Sequence, residues 1–446
     1  MSKRQVPSEV LTFLEKNVNN RGQLLAPRLS SETPARSYSV APGDKACCML
    51  GGKKRGARQG WLSYVIEPGP QRCEILCPHF GYCGGCTYQH INYSAQLSLK
   101  SQPIIDLVRS KDPQAEILSP QAAPTPWYYR SKVEFSFIGD HLGFNIRGLF
   151  QKVVDVEECF IGPPHNREIL NCVRQWQKRH NFSGWNPREN KGFLRYLVIR
   201  HSFSEDEFLV TLVTTTPTTF SLFDLSNPMY ELAEELSSLG AHGVIQALND
   251  EISPVATSQR DILLAGSETI CERVNDLKLS LGWRSFFQSN PPAYANMLRQ
   301  AKMLVGPQEK ILDLYCGVGS IGLSLDGYVI GVENVAQAVE NAKINACNLQ
   351  RQAEFYCANS EDWPDLNCSL LVIDPPRSGC HPRMIERLLT GGPEKILYIS
   401  CNPLRFVEEY EKLKDIYGIK VAQMYDFFPH TPHIESMFIL ERRGVH

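Results

Sequence analysis

The chain has 446 residues, 43% of them hydrophobic and 21% charged, the composition of an ordinary globular protein of about three domains. Its 46 Lys and Arg against 48 Asp and Glu leave a net charge of −2, which excludes a broadly basic nucleic-acid binder; yet residues 1–72 carry +7 and the rest −9, a split that suggests a polyanion contact at the front. No run of about 18 apolar residues exists to span a membrane, and basic Met1–Gln5 leads into polar sequence rather than an apolar signal core, so the expectation is a cytoplasmic protein whose 15 cysteines are mostly reduced thiols.

In chain order, residues 5–36 read as one short amphipathic helix (Val10, Phe13, Leu14) followed by a polar linker. Ala46–Leu50 and Trp61–Ile66 read as strands around a basic loop holding Lys53, Lys54, Arg55 and Arg58. Residues 73–90 are rich in cysteine. Residues 92–112 read as a helix buried through Leu97, Ile104, Ile105 and Val108, kinked or split at Pro103. Lys132–Ile138, Leu194–Arg200 and Phe208–Val213 carry strand signals, which makes the middle region α+β. After residue 284 short apolar runs alternate with helical stretches, at Lys310–Tyr315, Tyr328–Val332, Ala353–Cys357, Leu370–Ile373 and Lys395–Ser400. That rhythm predicts a parallel α/β domain. The expected division is 1–72, 73–283 and 284–446, with the helix at 92–112 free to pack on the third part.

Three segments of the last part carry chemistry. Ile311-Leu-Asp-Leu-Tyr-Cys-Gly-Val-Gly-Ser-Ile-Gly322 is a strand entering a glycine-rich turn, and Glu333 closes the next strand 20 positions after Asp313. An acid there suits ribose hydroxyls. A dinucleotide is the competing ligand, but Asp313 before the turn suits S-adenosylmethionine (SAM), which has no phosphate to cradle. Leu370-Leu-Val-Ile-Asp-Pro-Pro-Arg-Ser-Gly379 ends a strand in an acid and two rigid prolines. Lys395-Ile-Leu-Tyr-Ile-Ser-Cys-Asn-Pro403 ends another in Cys401, placed either as a nucleophile or as a buried structural thiol. Phe427-Phe-Pro-His-Thr-Pro-His-Ile-Glu-Ser436 adds two histidines and Glu435 on a proline-stiffened loop.

Taken in order, Phe286-Phe-Gln-Ser-Asn290, Asp313–Gly319, Asp374–Gly379, Ser400-Cys-Asn-Pro403 and Phe428–Glu435 resemble the SAM-dependent RNA (uracil-5-)-methyltransferases, in particular the iron–sulfur type that acts on 23S rRNA. The resemblance implies a C-terminal Rossmann-like methyltransferase domain, an α+β central domain bearing a cysteine cluster, and a small N-terminal β domain of the TRAM/OB-like kind. It implies Cys401 as the nucleophile that adds to carbon 6 of uracil, and Glu435 as the base that removes the carbon-5 proton. Gln288, Tyr315, Ser320, Glu333, Asn359 and Asp374 match positions that contact SAM, although Ser320 stands where the family more often has asparagine. Phe286 is either a stacking partner for the flipped base or a core aromatic.

Cys77, Cys83 and Cys86 have the spacing C-x5-C-x2-C, too dense for packing alone. Their chemistry points to a thiolate-held metal, iron or zinc. The resemblance implies a 4Fe–4S cluster on Cys77, Cys83, Cys86 and Cys159, with Cys73 a spare thiol. Ser37–Arg72 resembles the later part of a TRAM domain, whose basic residues would meet phosphates. The expected partner is RNA, with rRNA favoured over tRNA, and the expected state is a monomer. Two rivals stand beside this reading. One is an iron–sulfur RNA-binding protein that has lost activity; the other is an amino-methylating enzyme using Asp374-Pro-Pro, against which Arg377 and Cys401 speak.

Overall fold

The computed structural model describes all residues except 1–7, 14–22, 29–30, 55, 150, 187, 223, 225–226 and 445–446. The amino-terminal part is all β: β1 (Ser8–Thr12), β2 (Leu24–Arg28), β3 (Ser31–Ser37), β4 (Lys45–Lys54) and β5 (Ala57–Glu67). Their order is β1-β4-β5-β3-β2, antiparallel except for β3 with β5. The sheet curls until its edges meet, where Arg28 Nε lies 2.8 Å from Glu9 Oε2. The helix expected over 5–36 is therefore absent from the described residues, and Leu14 lies outside them. The reason is a period of two: Leu11 and Phe13 are buried while Val10 and Thr12 face outward. Leu24, Ala26, Ala35, Cys48 and Leu50 complete that core. The expected basic loop is instead the end of a β-ribbon, with Lys53 paired to Arg58 across it; Arg55 lies outside the described residues.

Helix α1 (Tyr93–Lys111) follows, capped by Asn92 Oδ1 accepting from Ala95 N at 2.9 Å. It runs through Pro103 as one helix rather than splitting. Ile104, Ile105 and Val108 are buried as the spacing predicts, Leu97 only partly, and Gln96 and Lys100 are buried with them. Short β6 (Glu116–Ile117) comes next. A seven-stranded sheet is then built from β7 (Lys132–Ile138), β8 (His141–Asn145), β9 (Val153–Asp155), β10 (Leu194–His201), β11 (Phe208–Thr214), β12 (Gly243–Leu248) and β13 (Arg260–Gly266), ordered β13-β12-β11-β10-β7-β8-β9. Helices α2 (Asn166–Arg179) and α3 (Pro228–Ser238) bury Trp176, Leu170, Leu232 and Leu236 in its core. A separate hairpin, β14 (Thr269–Val274) with β15 (Leu277–Gly282), leads into the last part.

There, α4 (Pro291–Val305), β16 (Lys310–Leu314), α5 (Ser320–Ser324), β17 (Tyr328–Glu333), α6 (Ala336–Asn348), β18 (Ala353–Cys357), β19 (Leu370–Ile373), α7 (Pro382–Gly391), β20 (Lys395–Ser400), α8 (Pro403–Leu413), β21 (Tyr417–Tyr425) and β22 (Glu435–Arg442) follow one another. The sheet order is β18-β17-β16-β19-β20-β22-β21-β6, parallel from β18 to β20 and antiparallel where β22 inserts. Chain direction along the order reverses at β16, beside β19, so the carboxyl ends of these two strands flank the crevice where such sheets bind ligands. No helix among the described residues is long and apolar enough to cross a membrane.

Helix α1 and β6 belong physically to this sheet. β6 pairs with β21, and Asp112, just past α1, accepts from Tyr410 OH at 2.6 Å and Ile419 N at 2.8 Å. Lys100 and Asp426 form a fully buried ion pair at 2.8 Å, with Lys100 also donating to Phe428 O at 2.9 Å. Lys100→Met should leave the buried Asp426 carboxylate without its cation, with only the Phe428 N–H at 3.1 Å, and should cost about 3–5 kcal/mol of stability. Chemical denaturation checks this; a loss below about 1 kcal/mol would show that the pair adds nothing net. Removing both charges together should recover most of the loss.

Candidate active site

Strand register brings the reactive groups together. β20 and β22 pair antiparallel with Ser400 opposite Ser436, and Ser436 Oγ donates to Ser400 O at 2.9 Å. Cys401 and Glu435 are the next residues beyond that pair, and the Glu435 charge acts on the Cys401 thiol. On the other side of β20, β19 ends at Ile373, so Asp374 emerges beside them. Burial pushes the Asp374 carboxyl up to about 7. Glu435 is buried, its Oε1 has no hydrogen-bond partner, and burial followed by the nearby Asp374 charge raises it well above an ordinary glutamate. Burial, then Glu435 and Asp374, push the Cys401 thiol up to about 11, with Arg377 acting the other way. Three acidic groups thus crowd one point, which is expensive unless a cation or a proton-accepting reaction joins them.

Arg377 Nη2 meets His433 Nδ1 at 3.2 Å, and Arg377 O accepts from Asn402 Nδ2 at 3.1 Å. The loops after β19, β20 and β21 are therefore tied together around Cys401.

The glycine-rich turn is braced from within. Asp313 is wholly buried and accepts from Gly322 N at 2.9 Å; a side chain at Gly322 would press on that same carboxylate. Asp313 thus holds the turn and does not line the cavity beyond it, a more structural place than its position in the motif suggested. Tyr315 takes a left-handed backbone (φ 61°) and donates its N–H to Ser360 Oγ at 3.1 Å. Glu333 accepts from Gly317 N at 3.1 Å and Val335 N at 2.9 Å.

Tyr315, Glu333 and Asn359 line one cavity of about 370 Å³, with Ser378, His381 and Arg405 on the opposite wall. Three of the six expected cofactor residues are thus gathered there, and three are not among its lining. Ser320 Oγ bonds Tyr294 OH at 2.7 Å. Gln288 is placed through its backbone, whose carbonyl accepts from Ser131 Oγ at 3.1 Å. Asp374 sits with Cys401 and Glu435. Of the adjacent phenylalanines, Phe287 is buried and Phe286 is 80% exposed, so Phe286 is not a core aromatic.

A family model described as tRNA (Uracil-5-)-methyltransferase matches residues 207–443. An uncharacterized RNA methyltransferase of Caldanaerobacter subterraneus is 33% identical over 409 residues, 87% of this chain and 89% of its own. The chain belongs to this family. The tRNA (uracil(54)-C(5))-methyltransferase of Pyrococcus furiosus is 31% identical over 408 residues, 90% of this chain and 93% of its own. The crystal structure of the Pyrococcus abyssi tRNA (uracil-54, C5)-methyltransferase in complex with S-adenosyl-L-homocysteine superposes with a TM-score of 0.79 at 28% identity, covering 96% of this chain and 99% of that one. The protein is accordingly an RNA methyltransferase with the mixed α/β fold of the SAM-dependent enzymes. Its reaction is methylation of uracil at carbon 5.

The cysteine set of the methyltransferase lies apart from the cofactor cavity. Cys77, Cys83, Cys86 and Cys159 line one cavity of about 100 Å³. Cys83 Sγ accepts from Gly85 N at 3.3 Å, and Arg130 faces the same cavity. Cys73 is not part of the lining; its thiol meets Gln89 O at 3.4 Å. Among the described residues no three His, Cys, Asp or Glu side chains are drawn in tightly enough to hold a metal ion as they stand. The donor set itself, four soft sulfurs beside a guanidinium, suits a thiolate-ligated iron or zinc centre.

Sequence reasoning missed the clamp that joins this cysteine loop to the catalytic loop. His430 O accepts from both Thr87 N (2.7 Å) and Tyr88 N (3.0 Å), directly after Cys86. Gln96, on α1, grips His430 from the other side: its Oε1 accepts from His430 N at 2.9 Å and its Nε2 lies 3.1 Å from His430 Nδ1. Trp127 stacks on the His430 ring at 3.8 Å, and Tyr129 OH donates to Pro429 O at 3.0 Å. Burial and then Lys100 lower His430 to about 3, so it is neutral at physiological pH and serves as a strut rather than an acid. No local signal marks Gln96 or Trp127, because their partner lies some three hundred residues away.

Proposed function

We propose that the enzyme forms 5-methyluridine through a covalent adduct between Cys401 and carbon 6 of the target uracil, with Glu435 as the base that takes the carbon-5 proton. The observation that carries this reading is that Cys401 and Glu435, the residues next to the paired Ser400 and Ser436, lie close enough for the Glu435 charge to act on the Cys401 thiol. Gln288, Tyr315, Ser320, Glu333, Asn359 and Asp374 are assigned to SAM, which supplies the methyl group; the cavity beside Glu333 supports this for three of them. Exposed Phe286 is assigned to stacking on the flipped base.

The target follows from two lines of support that differ. The cysteine set resembles that of 23S rRNA enzymes. The relatives whose names carry a substrate act on tRNA uracil 54 and span nine-tenths of the chain. We give tRNA first place on that coverage and rRNA second. Incubating the enzyme with labelled SAM and with unmodified tRNA and 23S rRNA separately, then mapping the label, decides between them. Label in an N-methylated base would reject both.

The curled amino-terminal sheet is assigned to RNA as a TRAM/OB-like module. Its cyclic strand order supports this, as does an outer face on which Trp61 and Tyr64 are exposed beside Lys53, Lys54 and Arg58.

Cys77, Cys83, Cys86 and Cys159 are assigned to a 4Fe–4S cluster that staples the loop preceding Thr87. Anaerobically prepared protein should hold about four iron per chain, and Cys159→Ser should lose iron and melt at lower temperature. Stoichiometric zinc without iron would reject the cluster.

A further inference from the structure

A second cleft, of about 480 Å³, opens between the cysteine loop and the catalytic loop. Arg130, Arg147 and Arg377 line it with Thr87, Thr431 and His433, and no carboxylate does. In a chain of net charge −2, three guanidiniums without a lining acid are a local anion trap.

Two of the three arginines are held by other parts of the protein. Arg147 donates to Cys86 O, lies 3.5 Å from Thr87 Oγ1, and covers the Tyr38 ring of the amino-terminal module at 4.8 Å. Arg377 is held by His433 and Asn402. His433 is kept neutral, lowered to about 4 by burial and then by Arg377, so its Nδ1 accepts from Arg377 and the ring proton sits on Nε2 as a further donor.

The position is informative. Pro376 and Ser378 line the cofactor cavity while Arg377 between them lines this cleft. The Asp-Pro-Pro-Arg-Ser turn is thus the wall that separates the two.

We infer that this cleft is a phosphodiester site, which seats a backbone phosphate of the RNA beside the flipped uridine. The inference rests on RNA being the substrate, and adds where its backbone is fixed. Planar guanidiniums suit phosphate oxygens bidentately, and a phosphate seated here would set the register of the strand without reading its sequence.

The test is RNA binding over a salt series for wild type and for Arg147→Gln and Arg147→Lys. The glutamine variant should lower the slope of log affinity against log salt by about one and raise KM for RNA with kcat held, while SAM affinity stays unchanged. The lysine variant should restore the slope. A wild-type slope in the glutamine variant, or a lysine variant that behaves like the glutamine one, would overturn the site. Phenylglyoxal labelling of the unmutated enzyme gives an independent answer: RNA should protect Arg147 and Arg377 where SAM alone does not, and absence of protection rejects the inference. If wild type fails to methylate any RNA, the substrate reading falls and the cleft with it; if wild type methylates RNA while the variants keep its slope, the cleft alone falls.

Discussion

Cys401→Ala should abolish methyl transfer, with a loss of roughly ten-thousand-fold or more, while SAM binding and melting temperature stay close to wild type. Carbon 5 of uracil is a poor nucleophile, and only addition of a thiolate at carbon 6 makes it an enolate able to attack a methyl sulfonium. Without sulfur there is no enolate, so the effect falls on kcat rather than on KM. A 5-fluorouridine RNA should trap wild type in a stable adduct and leave the alanine variant free. Residual turnover within about tenfold of wild type would remove Cys401 from the mechanism. The pH dependence has a definite sign. The thiol is held at about 11 in the free protein by burial, Glu435 and Asp374, so the thiolate is a minor species at neutral pH. Its fraction grows as pH rises, and single-turnover rates should climb between about pH 6 and 9 without reaching a plateau.

The strands around the site were legible because buried parallel strands are short continuous apolar runs. Leu370–Ile373 and Lys395–Ser400 are strands within those bounds. The carboxyl ends of β16, β17, β19 and β20 follow from the same pattern, and with them Tyr315, Glu333, Asp374 and Cys401. What pattern does not encode is pairing. Nothing local says that β22 inserts antiparallel beside β20, and that choice is what brings Glu435 near Cys401. The amino-terminal strands were misread for a related reason. Val10, Phe13 and Leu14 have helical spacing, but burial of Leu11 with Phe13 against β4 and β2 decides the period. The arginine cleft is the extreme case: Arg130 and Arg147 belong to no motif, and they join Arg377 only when three separate loops converge.

The clamp on His430 links the two halves of the molecule in one physical argument. The cysteine loop, α1 and the segment 127–129 belong to no strand of the parallel sheet core, yet all of them hold residues 429–430. Glu435 lies only five positions further on, with Pro432 stiffening the segment between. The loop that ends at Cys86 is therefore joined through Thr87 and Tyr88 to the segment that carries Glu435.

Glu435→Gln should separate the two halves of the reaction. Addition of the Cys401 sulfur to carbon 6 and attack of carbon 5 on the methyl group do not need the carboxylate. Removal of the carbon-5 proton does: its bonding pair re-forms the C5–C6 double bond and expels the thiolate. An amide cannot accept that proton. The variant should complete one methyl transfer and then remain bonded to methylated RNA, visible as a slow-migrating species under denaturing conditions with one labelled methyl per chain. Steady-state turnover should fall by roughly a hundred- to ten-thousand-fold. The substitution should not weaken the fold, because Glu435 is buried with Oε1 unpartnered and Asp374 close by; an isosteric neutral side chain relieves that repulsion. A stable protein with wild-type turnover and no adduct would therefore reject Glu435 as the base without an appeal to misfolding, and adding Cys401→Ala to the variant should erase the adduct altogether.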